Sequence, residues 1–240
     1  TGGTKRLTTD GNNNNDAQWS PDGTRLVFSA NGHGGKDLFV QPLDGRPTRL
    51  LRRASGINQF PTDWTGQGNA VLFTRMPRAG DQPRSQDIWY QPADDSVARP
   101  FLETAAHESG ARVSPAGKWV AYHSDETGRY EVYVQSFPTP RHKKSVGAGF
   151  HPVWGPGGRE LFFWRGDQLM AAPALTPGAA SDPLKFGTPT PLFRAAYPKG
   201  TFFAAAMYDV SPDGNEFILV ASSDRENRLV VALDALGARR

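Results

Sequence analysis

Short apolar runs alternate with tight polar turns along this chain, and the alternation repeats five times. Each repeat contains a Trp or Val, here called the anchor, followed by a turn such as Ser-Pro-Asp-Gly, Ser-Pro-Ala-Gly or Gly-Pro-Gly-Gly. The anchors are Trp19, Trp64, Val113, Trp154 and Val210. Their spacings of 45, 49, 41 and 56 residues indicate a repeat architecture in which every repeat is one small structural unit.

The apolar runs that follow the turns are typical of β-strands, because branched and aromatic residues dominate them. A second apolar strand comes after a polar or Gly-containing hairpin, with no helical period between the two. The strands that follow the turns are predicted at 25–28, 70–73, 119–122, 160–163 and 216–219. Their partners are predicted at 37–40, 87–90, 131–134, 168–171 and 228–231.

When the strand that ends at each anchor is counted as the first, a fourth strand is predicted in four repeats, near 48–51, 99–102, 144–146 and 191–193. The fifth repeat lacks one, and residues 5–9 are predicted to supply it, which would leave no open sheet edge. The sequence therefore predicts an all-β fold: a five-bladed β-propeller of four-stranded antiparallel blades, with residues 1–240 as a single domain. Because 172–206 is irregular and long enough for an extra hairpin, a six-bladed ring with one degenerate blade is the alternative.

Composition excludes several classes of function. No apolar run approaches the ~18 residues that span a bilayer, so no membrane insertion is expected. The absence of cysteine excludes disulfides and thiolate chemistry. The net charge of +3 comes from scattered basic residues, so we expect no nucleic-acid partner. The chain opens in mid-pattern without Met, as an excised domain or a processed chain would. We also expect the protein to be a monomer.

The stretch from Trp19 to Ser29, followed by 37–40 and Leu43-Asp44-Gly45, resembles the TolB-type propeller repeat, also called the WD40-like or PD40 repeat. Stretches 113–138, 152–170 and 208–214 look closer to the C-terminal propellers of bacterial serine/threonine protein kinases, although the chain has no kinase motif. The resemblance covers nearly the whole chain. It implies a sensor or protein-interaction module in a periplasmic or other extracytoplasmic location. TolB itself is implied to have six blades and a further N-terminal domain.

The anchors are predicted to fill the space between blades, where large rings bury the most area. Ligand binding is expected instead in the loops before the anchors, which a rigid scaffold holds near the ring axis. The candidate residues of this mouth are polar or charged. They are Asp16, Asn58, Gln59, His107, Glu108, Arg112 and His151.

Two of these loops carry His107-Glu108 and His151, which could also meet as a metal or acid/base cluster. The better-supported prediction is a non-catalytic module with no cofactor, which binds a protein or peptide partner or a small polar ligand. The alternative is a propeller hydrolase or lyase, or the gating propeller of a prolyl-oligopeptidase-like hydrolase. No Gly-x-Ser-x-Gly or His-Glu-x-x-His motif is present.

Overall fold

The structure is a computed structural model. It describes residues 7, 15–32, 34–53, 55–78, 85–93, 97–175, 184–196, 206–222 and 227–232. Within these residues the chain forms β-strands and one short 3-10 turn, Pro156–Gly158, and none of its helices could cross a membrane.

The strands form five antiparallel units along the described part of the chain. Unit 1 contains β1 (Asn15–Trp19), β2 (Arg25–Asn31), β3 (Lys36–Pro42) and β4 (Arg49–Arg52). Unit 2 contains β5 (Ile57–Trp64), β6 (Ala70–Pro77), β7 (Asp87–Pro92) and β8 (Arg99–Leu102). Unit 3 contains β9 (Glu108–Val113), β10 (Trp119–Ser124), β11 (Glu131–Ser136) and β12 (Lys144–Ala148). Unit 4 contains β13 (Phe150–Trp154), β14 (Glu160–Arg165), β15 (Gln168–Leu175), β16 (Lys185–Phe186) and β17 (Thr190–Arg194). Unit 5 contains β18 (Tyr208–Val210), β19 (Phe217–Ser222) and β20 (Asn227–Ala232).

This order confirms the predicted all-β architecture and the sequence positions of its hairpins. A parallel bridge between Lys36 and Asn58 joins units 1 and 2 into one eight-stranded sheet. The stretch suspected of hiding a sixth blade forms β16 and β17 where it is described, and both pair with β15 of unit 4. The five-bladed ring stays a prediction, because the closing strand at 5–9 lies outside the described residues except for Leu7.

The turn after each anchor has a local hydrogen-bonding cause. In unit 1 the Ser20 hydroxyl donates to Asp22 Oδ1 (2.5 Å) and accepts the backbone N–H of Arg25 (2.9 Å). Gly23 has φ +66°, a left-handed conformation that L side chains rarely adopt. In units 2, 3 and 5 the equivalent hydroxyl, of Thr65, Ser114 or Ser211, accepts the backbone N–H of the residue five positions later. The motif that follows each anchor therefore forms a turn, as predicted.

Buried apolar clusters lie at the seams, meaning the contacts between neighbouring units. Units 3 and 4, for example, share a cluster that includes Val134, Trp154 and Phe163. Two of the anchor indoles also bond across a seam: Trp64 Nε1 donates to Gln18 O (3.1 Å), and Trp154 Nε1 donates to Arg112 O (3.0 Å). These rings occupy the predicted position between units.

The prediction that every anchor ring is buried is wrong for Trp19, whose side chain is 60% exposed. Trp64 and Trp154 each pack on the unit before their own. Trp19 belongs to the first unit, so in a closed ring its corresponding neighbour would be unit 5. In the part of the chain that the structure describes, Trp19 lines an open cavity beside Ile218 of that unit.

Candidate binding cavity

One cavity of about 520 Å³ is lined by residues from all five units. Each unit contributes the residue directly before its anchor. These residues are Gln18, Asp63, Arg112, Val153 and Asp209. Because one equivalent position from every unit reaches the same space, the cavity lies where the innermost strands of the units converge.

A β-bulge precedes these side chains in the innermost strands of units 1, 3 and 4, where the innermost strand is the one that leads into the anchor. In β1, β9 and β13, three residues stand opposite two of the partner strand just before the anchor, so each strand has one residue in excess. The residue three positions before the anchor is left-handed in all three strands: Asp16 (φ +54°), Gly110 (φ +66°) and His151 (φ +52°). A bulge bends the strand and changes the direction of the side chains that follow it.

In unit 2 the residue before the anchor also lines the cavity, but the backbone before it is not left-handed. Its residue three positions before the anchor is Pro61, and the proline ring fixes φ near −65°, which excludes the left-handed conformation. The register of β5 shifts instead between Pro61 and Asp63. Asp63 therefore still lines the cavity.

Arg112 is the cationic group of the cavity. Its Nη1 donates to Gln18 Oε1 (3.2 Å), a hydrogen bond that connects unit 3 with unit 1. Asp63 lies in the unit between them, and its two carboxylate oxygens accept the backbone N–H groups of Trp64 and Val113 (2.8 Å each). Burial raises the pKa of Asp63, and the charge of Arg112 opposes that rise.

Asp209 is the exposed carboxylate of the cavity. One of its oxygens accepts the backbone N–H of Val210 (2.9 Å), as Asp63 does for Trp64. Apolar side chains form the remaining wall beside it, among them Val153, Met207 and Leu219. The cavity thus combines an apolar wall with a guanidinium, an amide and two carboxyl groups, which suits a ligand with separate polar and apolar parts.

Of the seven residues predicted to form a binding mouth, Arg112 lines this cavity. Asn58 and Gln59 lie at the seam between units 1 and 2. Asn58 Oδ1 accepts the backbone N–H of Lys36 (3.2 Å), and Gln59 Nε2 donates to Lys36 O (3.4 Å). Gln59 is fully buried. Both amides therefore make a seam contact, although Gln59 Oε1 is buried without a partner.

His107 and Glu108 lie at the seam between units 2 and 3. His107 Nδ1 accepts the backbone N–H of Gln86 (3.3 Å), while its own backbone N–H donates to Asp125 Oδ1 (2.8 Å). Glu108 is buried, and its Oε1 accepts a hydrogen bond from the Thr104 hydroxyl. Burial raises the pKa of Glu108 to about 7.

Asp16 and His151 occupy bulge positions, as described above. The Asp16 carboxylate accepts a long hydrogen bond from the Ser29 hydroxyl (3.4 Å), and burial raises its pKa. His151 is buried, its backbone N–H donates to His123 Nδ1 (3.3 Å), and the two imidazole rings lie 5.2 Å apart. Burial, with a smaller contribution from His151, lowers the pKa of His123 well below its ordinary value.

The hypothesis of a metal cluster finds no support in the residues that the structure describes, since no group of three His, Asp or Glu side chains there could hold an ion. Sequence reasoning overlooked Gln18, Asp63, Val153 and Asp209. Their common signal is the position directly before each anchor. The alignment of loops three to six residues before the anchors pointed instead to bulge and seam residues.

The solved structures that this fold resembles are β-propellers. TolB from Acinetobacter baumannii is 14% identical with a TM-score of 0.73, and the match covers 95% of this chain and 54% of that one. A β-propeller domain from Myceliophteria thermophila is 12% identical (TM-score 0.63), with 96% and 73% covered. A puromycin-hydrolysing peptidase from Mycobacterium tuberculosis is 16% identical (TM-score 0.61), with 86% and 35% covered. The chain thus spans about half the length of the TolB structure. No protein-family model and no curated protein matches the sequence.

Proposed function

We propose that this chain, which has the fold of TolB-like and WD40-like β-propellers, is a non-catalytic binding module that holds a segment of a protein partner or peptide in its cavity. The observation that carries the proposal is the convergence of Arg112, Asp209 and an apolar wall in one space of about 520 Å³. Ligand sites are commonly clefts of this size, lined mainly by apolar groups with a few polar groups that fix orientation.

The polar groups of the cavity differ in how much of their bonding capacity is used. Asp63 accepts two backbone hydrogen bonds, which suits a structural role at the seam. Asp209 is exposed and accepts one hydrogen bond, from the backbone of its own unit. Asp209 is therefore the group we expect to meet a cationic side chain or an N–H donor of the ligand, because an ion pair beside an apolar wall is poorly solvated.

A binding screen tests this assignment. We expect members of a short-peptide library that carry a Lys or Arg next to an apolar residue to bind the purified chain, as measured by fluorescence polarisation. Asp209→Asn removes the charge and keeps the shape, and we expect it to weaken that binding at least tenfold.

The matched control is Asp167→Asn. Asp167 is also an exposed carboxylate, and its partner is Arg194 (2.8 Å), away from the cavity. This variant should bind as the unchanged chain does. If Asp209→Asn and Asp167→Asn have the same affinity as the unchanged chain, the cavity is not the binding site.

A second candidate function is the propeller of a larger hydrolase. It is supported by the Mycobacterium tuberculosis peptidase, whose match to this chain covers 35% of its own length. In that arrangement the chemistry would reside in a separate domain, and the cavity described here would select or admit substrates. The test is the sequence of the gene that encodes this chain: a serine hydrolase domain next to the propeller would favour this candidate over the first.

A further inference from the structure

An unusual group of donors lies at the seam between units 1 and 2, away from the cavity. Arg52 extends from β4, Arg75 from β6 and Trp89 from β7. The guanidinium carbon of Arg75 lies 4.3 Å from the centroid of the Trp89 ring, and that of Arg52 lies 5.9 Å from it. Arg52 also lies 5.9 Å from the ring of the buried Phe73. Two cations thus share one indole.

Three N–H groups in this cluster are buried without an acceptor. They are Arg52 Nε, Arg75 Nε and Trp89 Nε1. A buried donor that lacks an acceptor costs about 1–3 kcal/mol, so the packing of both guanidinium groups against one indole is maintained at a cost in stability. The two guanidinium groups also lie close enough that the charge of Arg75 adds to burial in lowering the pKa of Arg52.

The surrounding carboxylates accompany Arg75 rather than Arg52. Arg75 Nη1 lies 3.7 Å from Glu103 Oε1, beyond hydrogen-bonding distance, and Arg75 stands opposite Asp87 in the ladder of β6 and β7. Arg52 has no carboxylate oxygen within 4.0 Å among the described residues. Its neighbour Arg53 does, at 3.9 Å from Asp37. Arg52 is therefore the cation with the greatest need of a partner.

We propose that Arg52, Arg75 and Trp89 form a binding site for a phosphate or sulfate group. The planar guanidinium presents its N–H groups in a fork that matches two oxygens of such an anion. Both Nε atoms are covered from solvent, so the anion contacts the terminal nitrogens at the outer edge of the half-buried Arg52 and Arg75. The indole N–H adds to the positive potential. This site is independent of the cavity and of its ligand.

Thermal unfolding in different anions tests the site. At constant ionic strength, replacing chloride with about 10 mM phosphate or sulfate should raise the Tm of the unchanged chain by about 3 °C, as expected for millimolar affinity. Arg52→Gln should abolish this response. Arg53→Gln removes the neighbouring charge, which already faces Asp37, and should keep it.

Calorimetric titration with phosphate provides a second measurement that does not depend on Tm. Arg52→Lys keeps the charge and loses the fork, so phosphate binding should weaken at least fivefold while the fold is maintained. This variant decides the matter if Arg52→Gln fails to fold. Equal responses to chloride and phosphate in the unchanged chain, or an Arg52→Lys variant that binds phosphate as tightly, would overturn the proposal.

Discussion

Glu108 offers a test of how the seam between units 2 and 3 responds to pH. Its side chain is 2% exposed, and burial raises its pKa from the ordinary 4.5 to about 7. The folded chain therefore holds the Glu108 proton more tightly than the unfolded chain does. It follows that this group leaves stability unaffected at pH values below 4.5, and that it destabilises the fold progressively as the pH rises towards 7.

The size of the effect follows from the shift. A rise from 4.5 to about 7 corresponds to about 3 kcal/mol when the carboxyl is fully ionised in both states. At pH 5 the two states differ in protonation by much less, and the cost is about 1 kcal/mol. Glu108→Gln removes the ionisable group and keeps an oxygen that can accept from the Thr104 hydroxyl. It should therefore stabilise the chain by about 2 kcal/mol more at pH 8 than at pH 5.

Urea unfolding followed by tryptophan fluorescence at pH 5, 6, 7 and 8 measures this difference. Asp87 has a pKa raised to about 6, chiefly by burial, and changes the stability of both chains in the same direction. The comparison between the variant and the unchanged chain at each pH therefore reports Glu108 together with its charge repulsion with Asp87, which adds to the rise in the pKa of Glu108. If Glu108→Gln raises the free energy of unfolding equally at pH 5 and pH 8, the pKa of Glu108 is not raised by the fold.

Three further changes test the packing and the turns by urea unfolding. Trp154→Phe deletes the indole N–H that donates to Arg112 O, and it should lower the free energy of unfolding by about 1–3 kcal/mol. Its control, Trp19→Phe at an exposed ring, should cost less than about 1 kcal/mol, and equal costs would contradict the seam assignment. Gly110→Ala places a Cβ at φ +66° and should cost about 1–2 kcal/mol, and a neutral result would mean that the bulge of β9 is not needed. Ser114→Ala leaves the Trp119 N–H without its hydroxyl acceptor and should cost about 1 kcal/mol, whereas no loss would show that water replaces it.

Local chemistry explains why the fold was predictable from the sequence. The Ser-Pro-Asp-Gly turn specifies its own geometry within six residues, since the Ser20 hydroxyl, the Asp22 carboxylate and the left-handed Gly23 are neighbours in the chain. The apolar runs after the turns identify the hairpins in the same local way. β16 was not predicted, because a two-residue strand leaves no periodic pattern. The exposure of Trp19 was not predictable either, since it depends on what packs against the first unit.

The residues that line the cavity were harder to predict, because a bulge separates them from the alternating pattern of the strand. Strict alternation along an innermost strand assigns each side chain to one face, and one inserted residue reverses that assignment for everything after it. Asp16, Gly110 and His151 carry the left-handed backbone of the bulge, and three different residue types can satisfy that need. The position two residues later holds Gln18, Arg112 and Val153, and its residue type varies because it lines the cavity. A residue directly before an anchor, such as Arg112 or Asp209, is therefore a better sign of the cavity wall in this repeat than a polar residue in the preceding loop.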